Sequence, residues 1–198
     1  MRSIGIVIAC FLVLLYGGCS ENQTADEAKQ QAASIKVADI PLDSALVDAK
    51  VSLARNFYFV MDGSGSMDGD FDGQDKFPSK IDGAKWAVEE FLKKVPEDVN
   101  LGLFVFDGGG TRETVPLGSG NRSKFLATVH AINANGGTPL AESIRFGTDQ
   151  LVKQYQRQLG YGEFRLVVVT DGLADGVSEA AQYALERRVP IYTIGLCI

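Results

Sequence analysis

Asp62, Asp107 and Asp171 each follow an apolar run, FYFVM, LFVF and LVVVT in turn. In an open parallel sheet the carboxyl ends of the strands form one rim, and ligands bind there. Asp62 opens the segment Asp62-Gly63-Ser64-Gly65-Ser66-Met67, which places hydroxyls two and four residues beyond the acid. Gly63 and Gly65 permit a turn tight enough for the carboxylate and both hydroxyls to converge on one point. A third hydroxyl source is the loop Gly136-Gly137-Thr138-Pro139-Leu140. Pro139 suits a first helical position, which would set Thr138 at the cap. All of these donors are oxygens, and the chain has a single histidine, His130. Oxygen-only ligation selects a hard cation, Mg²⁺, Mn²⁺ or Ca²⁺, and argues against zinc. A compact octahedral shell completed by waters favours Mg²⁺. Each residue also has an ordinary use when taken singly: the acids as helix caps, the hydroxyls as turn formers. Asp107 reads as hairpin-turn chemistry rather than as a ligand, and His130 as a helix-surface residue.

The elements that must position these residues are legible as runs and periodicities. Phe57–Met61, Leu101–Phe106, Leu166–Val169 and Ile191–Leu196 are short, continuous and rich in β-branched or aromatic residues. Such runs suit strands buried on both faces. Gly108-Gly109-Gly110 turns the chain, and Thr111 to Leu117 reads as an antiparallel edge, where Pro116 is tolerated. Ile81, Ala84, Val88, Phe91, Leu92 and Val95 recur at helical spacing, with Trp86 among them as a packing residue. Phe125, Leu126, Val129 and Ile132 do so after Asn121, a helix start signal. Further helices are expected from about Leu140 to Gln158 and from about Asp175 to Arg188; in the second, the charge order complements the helix dipole. Strands alternating with helices imply a doubly wound α/β domain, mostly parallel with one antiparallel edge strand and helices on both faces.

Asp-x-Ser-x-Ser after the first strand, Gly-Gly-Thr-Pro-Leu before a helix and Thr-Asp-Gly after a buried strand together resemble a von Willebrand factor A (VWA) domain. The resemblance runs from about Arg55 to the end of the chain. It implies a metal-ion-dependent adhesion site (MIDAS) made by Asp62, Ser64, Ser66, Thr138 and Asp171. Two carboxylates would cancel the charge of a divalent ion, and three neutral hydroxyls would leave it electrophilic. The resemblance further implies that an Asp or Glu of a partner protein completes the metal's shell. The family's final helix and strand are lacking, so the 51–198 domain reads as C-terminally truncated.

Beside the motif lies an acidic stretch, Asp68-Gly69-Asp70-Phe71-Asp72-Gly73-Gln74-Asp75. Asp68, Asp70 and Asp72 resemble the first half of a calcium loop, but Ser79 stands where that loop needs glutamate. A solvated acidic insertion is the reading preferred over an accessory Ca²⁺ site.

The first residues belong to transport rather than to the fold. Met1-Arg2-Ser3, an apolar run from Ile4 to Tyr16 and then Gly17-Gly18-Cys19 describe a secretory signal over residues 1–18. The run is shorter than the roughly 17–25 residues of a spanning helix. Small residues ending at a cysteine resemble a bacterial lipoprotein signal, although Tyr16 departs from the usual aliphatic residue. The resemblance implies lipid on Cys19 and a place in the bacterial cell envelope, held to the membrane by that lipid. Residues 19–50 then form a polar tether and lead-in; from Ser20 to about Lys36 there is too little apolar surface to offset the entropy of ordering. Residues 37–55 would enter the domain as a short strand or cap.

Composition bounds the function. Of the 198 residues, 45% are hydrophobic and 22% charged, and the net charge of -6 leaves no broad basic face for nucleic acid. Gly63-x-Gly65 is followed by Asp68 where a dinucleotide fingerprint wants glycine, and no Gly-Lys-Ser/Thr is present, so nucleotide is not expected either. The leading expectation is a metal-dependent protein-binding module rather than an enzyme. The alternatives are a Mg²⁺-dependent phosphate-ester hydrolase and a metal-free envelope scaffold.

Overall fold

The structure is a computed structural model, and it describes residues 49–71, 77–172 and 174–196. The 1–18 signal, Cys19, nearly all of the 19–50 tether, Asp72 and the chain's last two residues lie outside the described residues. Residues 49–54, the described part of the lead-in expected as a short strand or cap, take neither strand nor helix. They are held instead by hydrogen bonds: Lys50 N donates to Arg157 O, and Gln158 Nε2 to Ser52 O and Ala54 O.

Among the described residues five strands make one sheet: β1 (Arg55–Asp62), β2 (Asn100–Asp107), β3 (Gly110–Gly118), β4 (Glu163–Thr170) and β5 (Ile191–Gly195). Their spatial order is β3-β2-β1-β4-β5. Only the β2–β3 pair is antiparallel, and it is joined by the glycine turn. The α/β fold with one antiparallel edge strand is therefore as the apolar runs predict, and Pro116 does sit on the edge. Among the described residues four α-helices cover it: α1 (Lys80–Lys94), α2 (Arg122–Ala131), α3 (Leu140–Arg157) and α4 (Val177–Glu186).

Alternation along each strand decides which helices meet which residues. Phe57, Phe59 and Met61 of β1, with Leu101, Leu103 and Val105 of β2, pack under α1 and α2 against Val88, Leu92, Phe125 and Val129. Tyr58 and Val60, with Phe104 and Phe106, face Leu140, Ile144 and Leu151 of α3 and Ala180 and Ala184 of α4. Both β1 and β2 are buried on the two faces, which is why their sequence is continuously apolar. The outer strand β5 departs from that expectation: Tyr192 is 48% exposed.

Tyr58 shows how tightly the second layer closes. A Cβ on Gly102 would lie 2.4 Å from its ring, and a Cβ on Gly147 of α3 would lie 3.0 Å from the other edge. The ring thus fills a slot that two glycines leave open. Its hydroxyl donates to Glu113 Oε1 on β3 at 2.8 Å. Burial, the Glu113 hydrogen bond and the nearby carboxylate all hold the phenol well above its usual range.

Helix starts differ in detail from the sequence signals. Ser79, the residue that spoiled the calcium-loop pattern, is the N-cap of α1, accepting from Asp82 N and donating to Asp82 Oδ2. Asn121 is the N-cap residue of α2, as the start signal has it, but its side chain makes no capping bond; its Nδ2 donates instead to Leu101 O and Pro116 O, strapping the helix start to the sheet. α3 begins at Leu140 with Pro139 as its cap, one residue after the expected Thr138. α4 begins after Gly176 at φ 73 and ends before Arg187, so neither Asp175 nor the two arginines lies within it. Trp86 is 42% exposed and packs on Phe77 rather than in the core. Among the described residues no helix is long and apolar enough to cross a membrane.

Candidate functional site

Asp62 ends β1 at the carboxyl rim of the sheet, between the ends of β2 and β4. It is fully buried, and a buried carboxylate needs every available partner. Its Oδ1 accepts from Ser64 N at 2.9 Å and from Ser64 Oγ at 2.6 Å. Its Oδ2 accepts from Thr170 Oγ1, at the end of β4, at 2.6 Å. The Ser64 hydroxyl stands 3.1 Å from that of Ser66, and Ser66 Oγ donates to Asp171 Oδ1 at 3.0 Å. Asp62, Ser64, Ser66 and Asp171 therefore form one continuous chain of oxygens. It starts in the interior and reaches solvent at Ser66, which is exposed.

Local sequence explains the turn. After Asp62 the backbone folds into a single 3-10 turn, Gly65–Asp68, preceded by Ser64 in extended conformation. Gly63 passes so close to β2 that an added Cβ would meet Asp107 Cβ and Ile132 Cγ2 at 2.9 Å and Phe106 O at 3.0 Å. Its N–H donates to Phe106 O, and its carbonyl accepts from Asn135 N.

Thr138 is not in the oxygen chain. Its loop is tied to the serine loop by the backbone, through Gly65 N donating to Gly136 O at 3.1 Å. Gly136 takes φ 96 to allow this, a conformation side chains rarely adopt. Thr138 is exposed and lines a groove of about 370 Å³ with Arg145, Asp175 and Gly176. A larger groove, about 580 Å³, lies at the start of β4, where Tyr155, Phe164 and Arg188 contribute. That places it at the other end of the strands from the acids.

Asp107 locks the β2–β3 hairpin. It accepts from Gly109 N and from both terminal nitrogens of Arg112. Burial works to raise its pKa, but the Arg112 hydrogen bond, the Gly109 N–H and the Arg112 charge together hold the carboxyl below its usual value. His130 lies on the surface of α2, its Nε2 2.6 Å from Glu89 Oε1 on α1. Asp68 and Asp70 are both exposed. Among the described residues no three His, Cys, Asp or Glu gather as a metal-holding group.

Two participants are not among the five residues read as ligands from the sequence. Thr170 anchors the second oxygen of Asp62; the only hint was a hydroxyl beside Asp171 in Thr-Asp-Gly. Lys80, the first residue of α1, places its Nζ 2.8 Å from Asp171 Oδ2. Ninety-one residues separate this pair in sequence, and no local signal announces it.

Known proteins of similar structure include the manganese-loaded TRAP protein of Plasmodium vivax. It aligns with a TM-score of 0.55 at 19% identity, over 73% of this chain and 57% of that one, a likeness of fold. The pilus adhesin SpaC from Lactobacillus rhamnosus GG aligns at 25% identity with a TM-score of 0.44, over 63% of this chain and 16% of that one. No curated protein matches the chain in sequence. The model of the von Willebrand factor type A domain matches residues 57–173, which take in β1 through β4 and the Asp62, Ser64, Ser66, Thr138 and Asp171 positions, and by that match over more than half its length the chain belongs to the von Willebrand factor type A domain family.

Proposed function

We propose that this protein is a membrane-tethered, divalent-metal-dependent binding module that captures an acidic side chain of a partner protein. VWA domains commonly bind proteins. The observation that carries the metal reading is the spacing of the oxygens. Adjacent oxygens of an octahedral shell with bonds of about 2.1 Å lie about 3.0 Å apart. The Ser64–Ser66 and Ser66–Asp171 separations of 3.1 and 3.0 Å fit such an edge. All-oxygen chemistry fits Mg²⁺, with Mn²⁺ or Ca²⁺ as substitutes. TRAP, of similar fold, is manganese-loaded.

Asp62, Ser64, Ser66, Thr138 and Asp171 would hold the ion. The bound metal supplies an electrophilic point at which a partner carboxylate can be received. The chain's own residues do the positioning. Thr170 Oγ1 and Ser64 N fix the Asp62 carboxylate from two sides, so its orientation is set before any ion arrives. The Gly65–Gly136 hydrogen bond keeps the Thr138 loop beside the serines. Exposure of Ser66 and Thr138 leaves the outer side open to a protein ligand.

Binding is favoured over phosphate-ester hydrolysis because the chain's single histidine, His130, pairs with Glu89 on the helical layer rather than with the serines. Lipid on Cys19, carried by the Gly17-Gly18-Cys19 signal, would hold the module to the bacterial cell envelope. Titration calorimetry of Mg²⁺ and Mn²⁺ tests the metal. Saturable binding in the wild type, lost in Asp62→Ala and Asp171→Ala, is the expected result. A folded wild type without binding would leave a metal-free scaffold. Cys19→Ala should move the protein from the membrane to the soluble fraction.

A further inference from the structure

Lys80 is an unusual residue to find at the start of a helix. The positive end of the helix dipole lies there, and a second positive charge is disfavoured. Its backbone is nevertheless fixed in place: Ser79 caps the helix, and Lys80 N donates to Gly69 O, the residue that closes the serine-bearing 3-10 turn. From that position the ammonium pairs with Asp171 Oδ2 at 2.8 Å, the side chains being 20% and 6% exposed. The other oxygen of the same carboxylate is the end of the Asp62–Ser64–Ser66 chain. The acidic side of the site is thus already supplied with a cation by the protein itself.

We propose that Lys80 is an internal competitor for the metal. In the metal-free protein its ammonium neutralises Asp171, and a divalent ion gains that carboxylate only as the ammonium withdraws from it. Metal affinity is then set by a contest within the chain. The inference rests on the metal-binding reading above.

The test is Mg²⁺ titration calorimetry on wild type, Lys80→Met, Lys80→Gln and Lys80→Arg, each checked for folding by circular dichroism. The ammonium stands 2.8 Å from Asp171 Oδ2, and a partly exposed ion pair of this kind shifts an equilibrium by up to roughly ten-fold. Both neutral variants should therefore bind Mg²⁺ roughly ten-fold more tightly than wild type, while Lys80→Arg stays near it. The neutral variants should also melt at lower temperature without metal and recover more on its addition, because Asp171 has lost its counter-charge. Equal or weaker Mg²⁺ binding in a folded neutral variant overturns the competition and leaves the metal site standing. Failure of both wild type and neutral variants to bind overturns the two together. Two neutral substitutions of different polarity keep the test decisive should one of them fail to fold.

Discussion

Replacing Gly63 by alanine puts a methyl carbon into a gap that does not exist. The new Cβ would stand 2.9 Å from Asp107 Cβ, 2.9 Å from Ile132 Cγ2 and 3.0 Å from Phe106 O. Ordinary carbon contacts begin near 3.4 Å, so all three neighbours must give by about 0.4–0.5 Å at once. None is the free end of a flexible side chain: one is a backbone carbonyl, one a Cβ on β2 and one a buried branch at the end of α2. The chain at residue 63 must move outward instead, and its hydrogen bond to Phe106 O stretches with it. Overpacking of this kind costs about 1–3 kcal/mol. For a domain of this size that lowers the melting temperature by roughly 2–10 °C. Urea denaturation without metal gives the stability arm directly. Gly65→Ala is the control, since its Cβ would meet only Gly136 O at 3.7 Å, and its cost should stay within about 0.5 kcal/mol. Because Ser64 follows the displaced residue at once, Mg²⁺ binding should weaken in Gly63→Ala as well. A Gly63→Ala protein as stable as Gly65→Ala would refute the close-approach argument, whatever the metal does.

Gly102→Ala meets the Tyr58 ring at 2.4 Å with Gly147 closing the far side, so its cost should reach about 3 kcal/mol; in a Tyr58→Val background, denaturant titration should show most of that cost gone. Asp107→Asn should destabilise at neutral pH and progressively less in acid. The Asp107 carboxyl is held below its usual value of 3.8 when folded, so its contribution is present above that value and is lost as pH falls through the lowered one; urea midpoints of wild type and variant that differ equally at pH 7 and pH 2 would contradict this. Asn121→Ala removes two donations to carbonyls that tie α2 to β2 and β3, and should cost about 1–2 kcal/mol by the same assay.

The strands, the antiparallel edge and the helical layers were readable because burial on both faces writes a continuous apolar run, as in FYFVM, whatever the neighbours are. The outer strand misled for the same reason: the run from Ile191 is apolar, yet Tyr192 is nearly half exposed and stacks its ring near Arg165. Asn121 marks the start of α2 as its residue type suggests, yet spends its side-chain amide on the sheet, while Ser79, set aside as a failed calcium ligand, caps α1.

What the sequence determined by itself was the inventory of the candidate site and its local turn. Asp62, Ser64 and Ser66 lie within five residues, and the glycines between them leave the backbone free to bring the three oxygens together. Asp171 could be placed on the same rim only because its own apolar run marks a strand end. The tertiary structure decided what surrounds those oxygens. Thr170 holds the back of Asp62 across 108 residues, and Lys80 faces Asp171 across 91. Neither contact follows from residue type or spacing. Each depends on how β1 and β4 pair and on where α1 begins, and the charge balance of the site is fixed by that packing rather than by any local pattern.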